Sequence, residues 1–209
     1  MNRDELGRKL ARLATNAVVA HPWTWRVFRP LIRLQFDTLA PRWDEMRVGD
    51  HLASYERALD AIAVPPARAL DVGTGTGDGA AAVAYRFPRA EVIGVDLSDA
   101  MIEHARRKLP EELQGRVRFE RADASALPFA DESFDLVALA NMIPFFDEVA
   151  RLVVPGGHAL FAFSGGAATP IYVAPERLRS ELGRRGFTEF ADFVAGSGTA
   201  LLARKAQRS

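Results

Sequence analysis

Four glycines alternate in the stretch Asp71-Val-Gly73-Thr-Gly75-Thr-Gly77-Asp-Gly79-Ala80. Glycine tolerates positive φ and lets backbone approach a ligand closely, and an ordinary turn needs one or two of them, not four. A helix is expected to begin near Thr76 to Asp78. Its free N–H groups and positive dipole end then face the loop, ready for a carboxylate or phosphate. Asp96 lies 19 residues past Gly77. At that offset a carboxylate closing the next strand accepts two hydrogen bonds from a ribose diol. Leu97 and Met101, just beyond it, could sandwich a base, and would look the same as ordinary packing residues. The pattern describes a cradle for a nucleoside cofactor. Gly75-x-Gly77-x-x-Ala80 also fits the dinucleotide fingerprint, so spacing alone leaves the cofactor's identity open.

Positioning these groups takes strands that end at the loop and at Asp96. After Val64-Pro65-Pro66, short apolar runs alternate with helical patterns, which signals βαβ units around a parallel sheet. Strands are expected at Arg68–Val72, Glu91–Val95, Val117–Arg121, Phe134–Ala140 and His158–Phe163. Helices are expected from the loop to Arg86, Ser98 to Leu109, Pro144 to Val153 and Pro175 to Arg185. Two closing strands, Thr188–Ala195 and Thr199–Arg204, turn at Gly196-Ser197-Gly198 and so run antiparallel. The expected fold is α/β: a doubly wound, Rossmann-like seven-stranded sheet over residues 64–209, mostly parallel with an antiparallel last strand. Residues 1–63 read as a helical lid in three pieces, punctuated by His21-Pro22 and Pro41, with Pro30 opening a helix rather than lying inside one.

The chain has 209 residues, 27 Lys and Arg, 27 Asp and Glu, four His and no Cys. The length suits one domain plus an appendage. Zero net charge argues against a general nucleic-acid binder. Without Cys there are no disulfides, thiolate zinc sites or thiol nucleophile, and four scattered His make a metal centre unexpected. No apolar run is long enough to cross a bilayer, and no secretory leader is read, so a cytoplasmic location is expected. The charge is segregated, however: residues 1–36 carry seven Arg and Lys against Asp4 and Glu5. On a helical wheel Arg26, Arg29 and Arg33 fall within about 60° of one another, with Val27, Phe28, Leu31 and Ile32 opposite. Two readings are open. One is a helix packed on the core with a solvated basic face. The other is a lid that touches an anionic membrane surface or a lipophilic substrate.

Several motifs follow one another in order. Asp71-x-Gly-x-Gly-x-Gly comes first, then Val92-Ile-Gly-Val-Asp96-Leu-Ser98 with Met101 and Ala105. Arg121-Ala-Asp123-Ala124, Leu127-Pro-Phe129 and Ser133-Phe-Asp-Leu-Val137 come next, then Glu148-x-x-Arg151-x-Val153-x-Pro155-Gly156-Gly157. Together with the closing hairpin, they resemble the class I S-adenosylmethionine-dependent methyltransferases over residues 64–205. The Tyr-x-x-x-Lys pair of a short-chain dehydrogenase is absent: four residues after the three Tyr stand Leu59, Arg89 and Glu176. A nicotinamide-dependent oxidoreductase and a non-catalytic cofactor-binding module stay open as alternatives.

The resemblance implies S-adenosyl-L-methionine as cofactor and methyl transfer as activity. It implies that Gly73, Thr74 and Gly75 run under the methionyl and ribose portions, ahead of Gly77. Asp71 would act near the methionine end, directly or through water. Asp123 would accept from the adenine amino group, and the Ala124 N–H would serve a ring nitrogen. Asn141 would lie near the transferable methyl, or else cap the helix expected at Pro144. Displacement at a sulfonium needs alignment above all, which contributes roughly 7–11 kcal/mol. An oxygen or carbon acceptor asks for a base, for which His51, Tyr55 and His21 are candidates. Phe36-Asp37-x-Leu39-Ala40-x-x-Trp43-Asp44 is similar to the opening of quinone-ring methyltransferases, where this region folds over the acceptor. Trp23, Trp25, Phe28, Trp43, Tyr55 and the Phe145-Phe146 pair are candidate walls for a small hydrophobic acceptor. The acceptor atom and the oligomeric state are not fixed by the sequence.

Overall fold

Short β-branched and apolar runs build the core of the molecule, which the computed structural model describes over residues 3–46 and 49–208. The strands are β1 (Arg68–Val72), β2 (Glu91–Asp96), β3 (Val117–Arg121), β4 (Phe134–Ala140), β5 (Val153–Phe163), β6 (Phe187–Ala195) and β7 (Gly198–Lys205). They form one sheet in the order β3-β2-β1-β4-β5-β7-β6. β1 to β5 pair in parallel, and β7 runs antiparallel to both of its neighbours. The helices are α1 (Arg3–Ala20), α2 (Trp25–Leu39), α3 (Ala53–Asp60), α4 (Asp78–Arg86), α5 (Asp99–Lys108), α6 (Phe146–Leu152) and α7 (Pro175–Gly183).

Alternate residues of each strand feed two apolar layers. On β4, Leu136 and Ala138 face α3, α4 and α5, where they meet Tyr55, Leu59, Val83 and Ile102. Val137 and Leu139 face the other layer, with Val149 of α6, Leu178 of α7, Val18 of α1 and Trp25 of α2. Strands covered on both faces read as almost continuous apolar runs, which is why β1 and β4 were so plain in the sequence. Each fully buried Leu or Val in these layers contributes about 1.5–3 kcal/mol.

The chain leaves β1 toward β2 on one side, while β4 lies on the other. Such a reversal opens a crevice beyond the carboxyl ends of the two strands. The glycine loop follows β1 and Asn141 follows β4, so both stand at that crevice. Ser98 starts α5 by accepting from the Met101 N–H at 3.1 Å, a cap worth about 1 kcal/mol.

Several expectations shift. Pro30 lies inside α2, not at its start; the helix is already running from Trp25, gives up one ladder bond there and is held by its neighbours instead. α6 begins at Phe146 rather than Pro144. β5 starts at Val153, earlier than His158, because Pro155-Gly156-Gly157 is taken up as an irregularity opposite Phe134 to Leu136 rather than as a turn before the strand. Gly156 adopts φ 78° to pass it. The expected 1–63 extension divides: α3 is packed into the sheet face with α4, whereas α1 and α2 lie on the opposite layer. The side chains of Arg3, Asp4 and Glu5, which enter the charge count of the N-terminal segment, lie outside the described residues.

Candidate functional site

The glycine loop folds back on the end of β2. The Gly73 and Thr74 N–H groups both donate to the Val95 carbonyl, at 2.8 and 2.9 Å. Gly73, Gly75 and Gly77 take φ values of 70°, 54° and 91°, a region that costs other residues about 1–2 kcal/mol. Gly77 is also constrained sterically, since a Cβ there would lie 2.7 Å from Cζ of the buried Phe119. A Cβ on Gly79 would lie 2.8 Å from both carboxylate oxygens of Asp71.

Asp71 therefore sits beneath the loop. Its Oδ2 accepts from Thr74 Oγ1 at 2.6 Å, Tyr55 Oη lies 3.5 Å from Oδ1, and the Ala80 N–H donates to it as well. Burial pushes its pKa up to about 6, against these hydrogen bonds. It fastens the loop to the first turn of α4 and is itself 2% exposed, so it meets the crevice through the loop backbone rather than directly. Tyr55 is fully buried, and burial, then the Asp71 charge, raise its pKa well above 10. It packs in the apolar layer with α4, on the face of the sheet away from Trp25 and Leu97. His51 places Nε2 3.5 Å from Asp78 Oδ2 at the start of α4, and His21 is exposed before the short 3-10 turn Pro22–Thr24.

Asp96 closes β2 as expected. Its Oδ2 accepts from the Gly75 N–H at 3.0 Å and its Oδ1 from the Ser98 N–H at 2.9 Å. Burial raises its pKa against these donors, and the Asp37 charge adds to the rise. Asp123, two residues past β3, accepts from Ser125 N–H and Oγ at 2.9 and 2.8 Å. It also accepts from Trp25 Nε1 at 2.8 Å and Arg29 Nη1 at 3.0 Å. Burial opposes its ionisation, but these four donors prevail and hold its pKa below the usual carboxylate value.

Beside Asp123 opens a cleft of about 360 Å³ walled by Leu97, Ala122, Asp123 and the side chains of Arg29, Pro30, Arg33 and Arg121; Asp96, the residue before Leu97, is not in its wall. Leu97 lines it as expected. Met101 does not: α5 turns it inward and it is fully buried. Ala124 is 7% exposed and is absent from the cleft wall. Asn141 takes a left-handed φ of 51° at the end of β4, and its Oδ1 accepts from Ser164 N–H at 3.0 Å and Oγ at 3.2 Å. It ties β4 to the end of β5 and does not cap α6, whose N-cap is Phe145. The next residue, Met142, lays its side chain over the loop: a Cβ on Gly73 would lie 2.7 Å from its Sδ.

The N-terminal segment closes this edge with polar contacts that sequence reading did not assign. Arg33 pairs with Asp99 at 2.8 Å. Asp37 accepts from Ser98 Oγ at 2.6 Å. Asp44 accepts from Thr76 Oγ1 at 2.6 Å and faces His104 and Lys108 at 3.2 and 3.0 Å. Asp37 and Asp44 belong to the Phe36–Asp44 stretch, so their motif was visible although their partners were not. Arg29 and Arg33 thus turn toward the cleft edge instead of forming a solvated face, while Val27 and Leu31 point outward. Of the candidate aromatic wall, Trp25 meets Phe145 edge-on at 5.3 Å, and Phe36 meets Trp43 the same way at 5.3 Å. Tyr55 is on the opposite face of the sheet, and Trp23 is 69% exposed. Among the described residues no group of three His, Asp or Glu converges as a metal site requires.

Known proteins resemble this chain in sequence and in fold. A methyltransferase-domain family model matches residues 69–157. A demethylmenaquinone methyltransferase of Thermus thermophilus is 42% identical over 135 residues, 58% of this chain and 60% of the relative. The ubiquinone/menaquinone biosynthesis C-methyltransferase UbiE of Geotalea daltonii is 34% identical over 146 residues, 62% of this chain and 61% of the relative. The chain spans about half to two thirds of the length of the curated relatives it matches. Among solved structures, a SAM-dependent methyltransferase from Aquifex aeolicus shares the fold with a TM-score of 0.66 at 16% identity, over 80% of this chain and 98% of that one. The [4+2]-cyclase SpnF shares it with a TM-score of 0.67 at 19% identity, over 85% of this chain and 96% of that one. Loop, strand-end carboxylates, sheet order and relatives agree, and the chain belongs to the class I S-adenosylmethionine-dependent methyltransferases.

Proposed function

We propose that this chain transfers a methyl group from S-adenosylmethionine to a small, hydrophobic acceptor, and that a quinone-type ring is the acceptor class, as the names of its relatives suggest. One observation carries the reading: Asp123 stands with Leu97 in the wall of a cleft, and Asp96, the residue before Leu97, closes its strand against the positive-φ loop. That set suits an adenosyl group. Asp96 has acceptor capacity for the two ribose hydroxyls, Asp123 for an amino group, and Leu97 offers an apolar wall to a base. The cofactor, when bound, supplies an electrophilic methyl on a positively charged sulfur.

The chain's own residues then orient and shield. Asp71 keeps the loop in shape from below, Asn141 anchors the end of β4, and α2 with Trp25 covers the edge of the cleft. We read α1 and α2 as the lid of the 1–63 extension, and the enzyme as cytoplasmic. Tyr55 is fully buried, so for an acceptor that sheds a proton we favour His51, beside Asp78 at the start of α4, as the group that takes it.

Calorimetric titration with S-adenosylhomocysteine and, separately, NADH tests the reading. Binding of the first alone is expected, weakened roughly 10- to 100-fold by Asp96→Ala, since charge-assisted hydrogen bonds contribute about 1.5–3 kcal/mol. Binding of NADH alone would overturn it. Incorporation of labelled methyl into a demethylated quinone, against an amine and a carboxylic acid as controls, then tests the acceptor class.

A further inference from the structure

Helix α2 carries an outward apolar stripe. Val27, Leu31 and Leu34, spaced four and three residues apart, are 64, 67 and 65% exposed, and Trp23 in the turn before them is 69% exposed. Single exposed apolar residues are ordinary, but a stripe on one helix marks an interaction surface. The inner side of the same helix is fully engaged: Trp25 is buried, Phe28 and Ile32 pack on the core, and Arg29 and Arg33 hold Asp123 and Asp99.

We propose that this face of α2 lies on an anionic lipid surface, with Trp23, Leu31 and Leu34 entering the headgroup boundary. Charge selects the occupant. Residues 1–36 carry seven Arg and Lys against two carboxylates, so the rest of the neutral chain is correspondingly acidic. Arg26 is exposed on the flank of the helix next to the stripe. An anionic surface attracts this segment and repels the remainder, which orients the molecule with α2 down. A second copy meeting the same face across a two-fold axis would bring two basic segments together, which disfavours self-association there. No helix among the described residues is long and apolar enough to span a bilayer, so the contact lies in the plane of the interface. The proposal does not rest on methyl transfer: lipid binding and S-adenosylhomocysteine binding are read separately.

Co-sedimentation of the full chain with vesicles of phosphatidylcholine alone, and of phosphatidylcholine mixed with phosphatidylglycerol, tests it. Pelleting with the mixed vesicles is expected, falling as salt rises. Arg26→Gln should weaken it about fivefold, and Leu31→Gln with Leu34→Gln by more than about tenfold. Unchanged far-ultraviolet circular dichroism and unchanged S-adenosylhomocysteine binding would show that the double variant is folded. No pelleting of the wild type, or equal pelleting of the folded double variant, would overturn the proposal. So would a wild-type dimer in analytical ultracentrifugation that the double variant converts to monomer, since the stripe would then be covered by a second copy.

Discussion

The crevice has two sides built on different physics. On the sheet side, glycine conformation and burial fix the loop. Gly73, Gly75 and Gly77 hold positive φ, Asp71 is locked beneath them, and the apolar layers leave the strand ends nowhere else to go. On the other side, α2 packs Trp25, Phe28 and Ile32 on the core, but its cleft edge is fastened by Arg29 on Asp123, Arg33 on Asp99 and Asp37 on Ser98, with Asp44 of the following turn on Thr76. These contacts are polar and partly solvated, and each is worth little alone. The contrast implies a rigid cradle under a cover that can leave. The cover also uses Asp123, the carboxylate proposed for the adenine, so Trp25 and Arg29 have to share or surrender it when a nucleoside enters.

Substitutions on the two sides should differ sharply. Gly77→Ala should have the largest effect. It meets both a left-handed φ and a ring carbon at 2.7 Å, and is expected to cost about 2–4 kcal/mol in urea unfolding. A loss below about 0.5 kcal/mol would mean that the loop is not rigid and would erase the contrast.

Asp71 comes second. Burial holds its folded pKa at about 6, above the ordinary 3.8 of an aspartate, so the folded state binds the proton more tightly. The resulting stabilisation is complete below about pH 4 and is lost as pH rises through about 6, on the order of 3 kcal/mol in all. Asp71→Asn cannot titrate. The melting temperature of the variant minus that of wild type should therefore rise from pH 4 to pH 7. A flat difference would show that Asp71 is not confined as the loop geometry requires.

Arg29→Ala, on the lid, is the smallest. The pair it breaks is half exposed, so global stability should fall by about 0.5 kcal/mol or less. Amide hydrogen exchange in α2 should nonetheless accelerate while β1 and β4 are unaffected. Equal acceleration in the strands would mean that lid and sheet open together.

The two sides also differed in legibility. β1, β3 and β4 were readable to the residue because continuous apolar runs bounded by Gly, Pro and charge are a local signal. Offsets along those strands placed Asp96 at the end of β2, Leu97 next to it and Asp123 just past β3, where the structure has them. Met101 was misplaced because helical phase, not distance from the glycines, decides which way a side chain on α5 points. Asn141 was placed at the right strand end, but its partner, Ser164, is supplied by a strand that spacing cannot bring alongside. The N-terminal helices were read in outline, with breaks at His21-Pro22 and near Pro41, but Pro30 was read as a helix start and the orientation of the arginine face was missed. A wheel identifies faces, and an arginine face reads as solvated unless carboxylates elsewhere in the chain are known to meet it. Asp99 and Asp123 are 66 and 94 residues from their arginine partners, beyond any local pattern.

The shared use of Asp123 is open to direct observation in a crystal structure of the complex with S-adenosylhomocysteine. The ribose hydroxyls are expected on Asp96, the base against Leu97 with its amino group on Asp123, and Trp25 or Arg29 displaced from that carboxylate. A nucleoside bound elsewhere, with Asp123 still held by both Trp25 and Arg29, would contradict this assignment of the site.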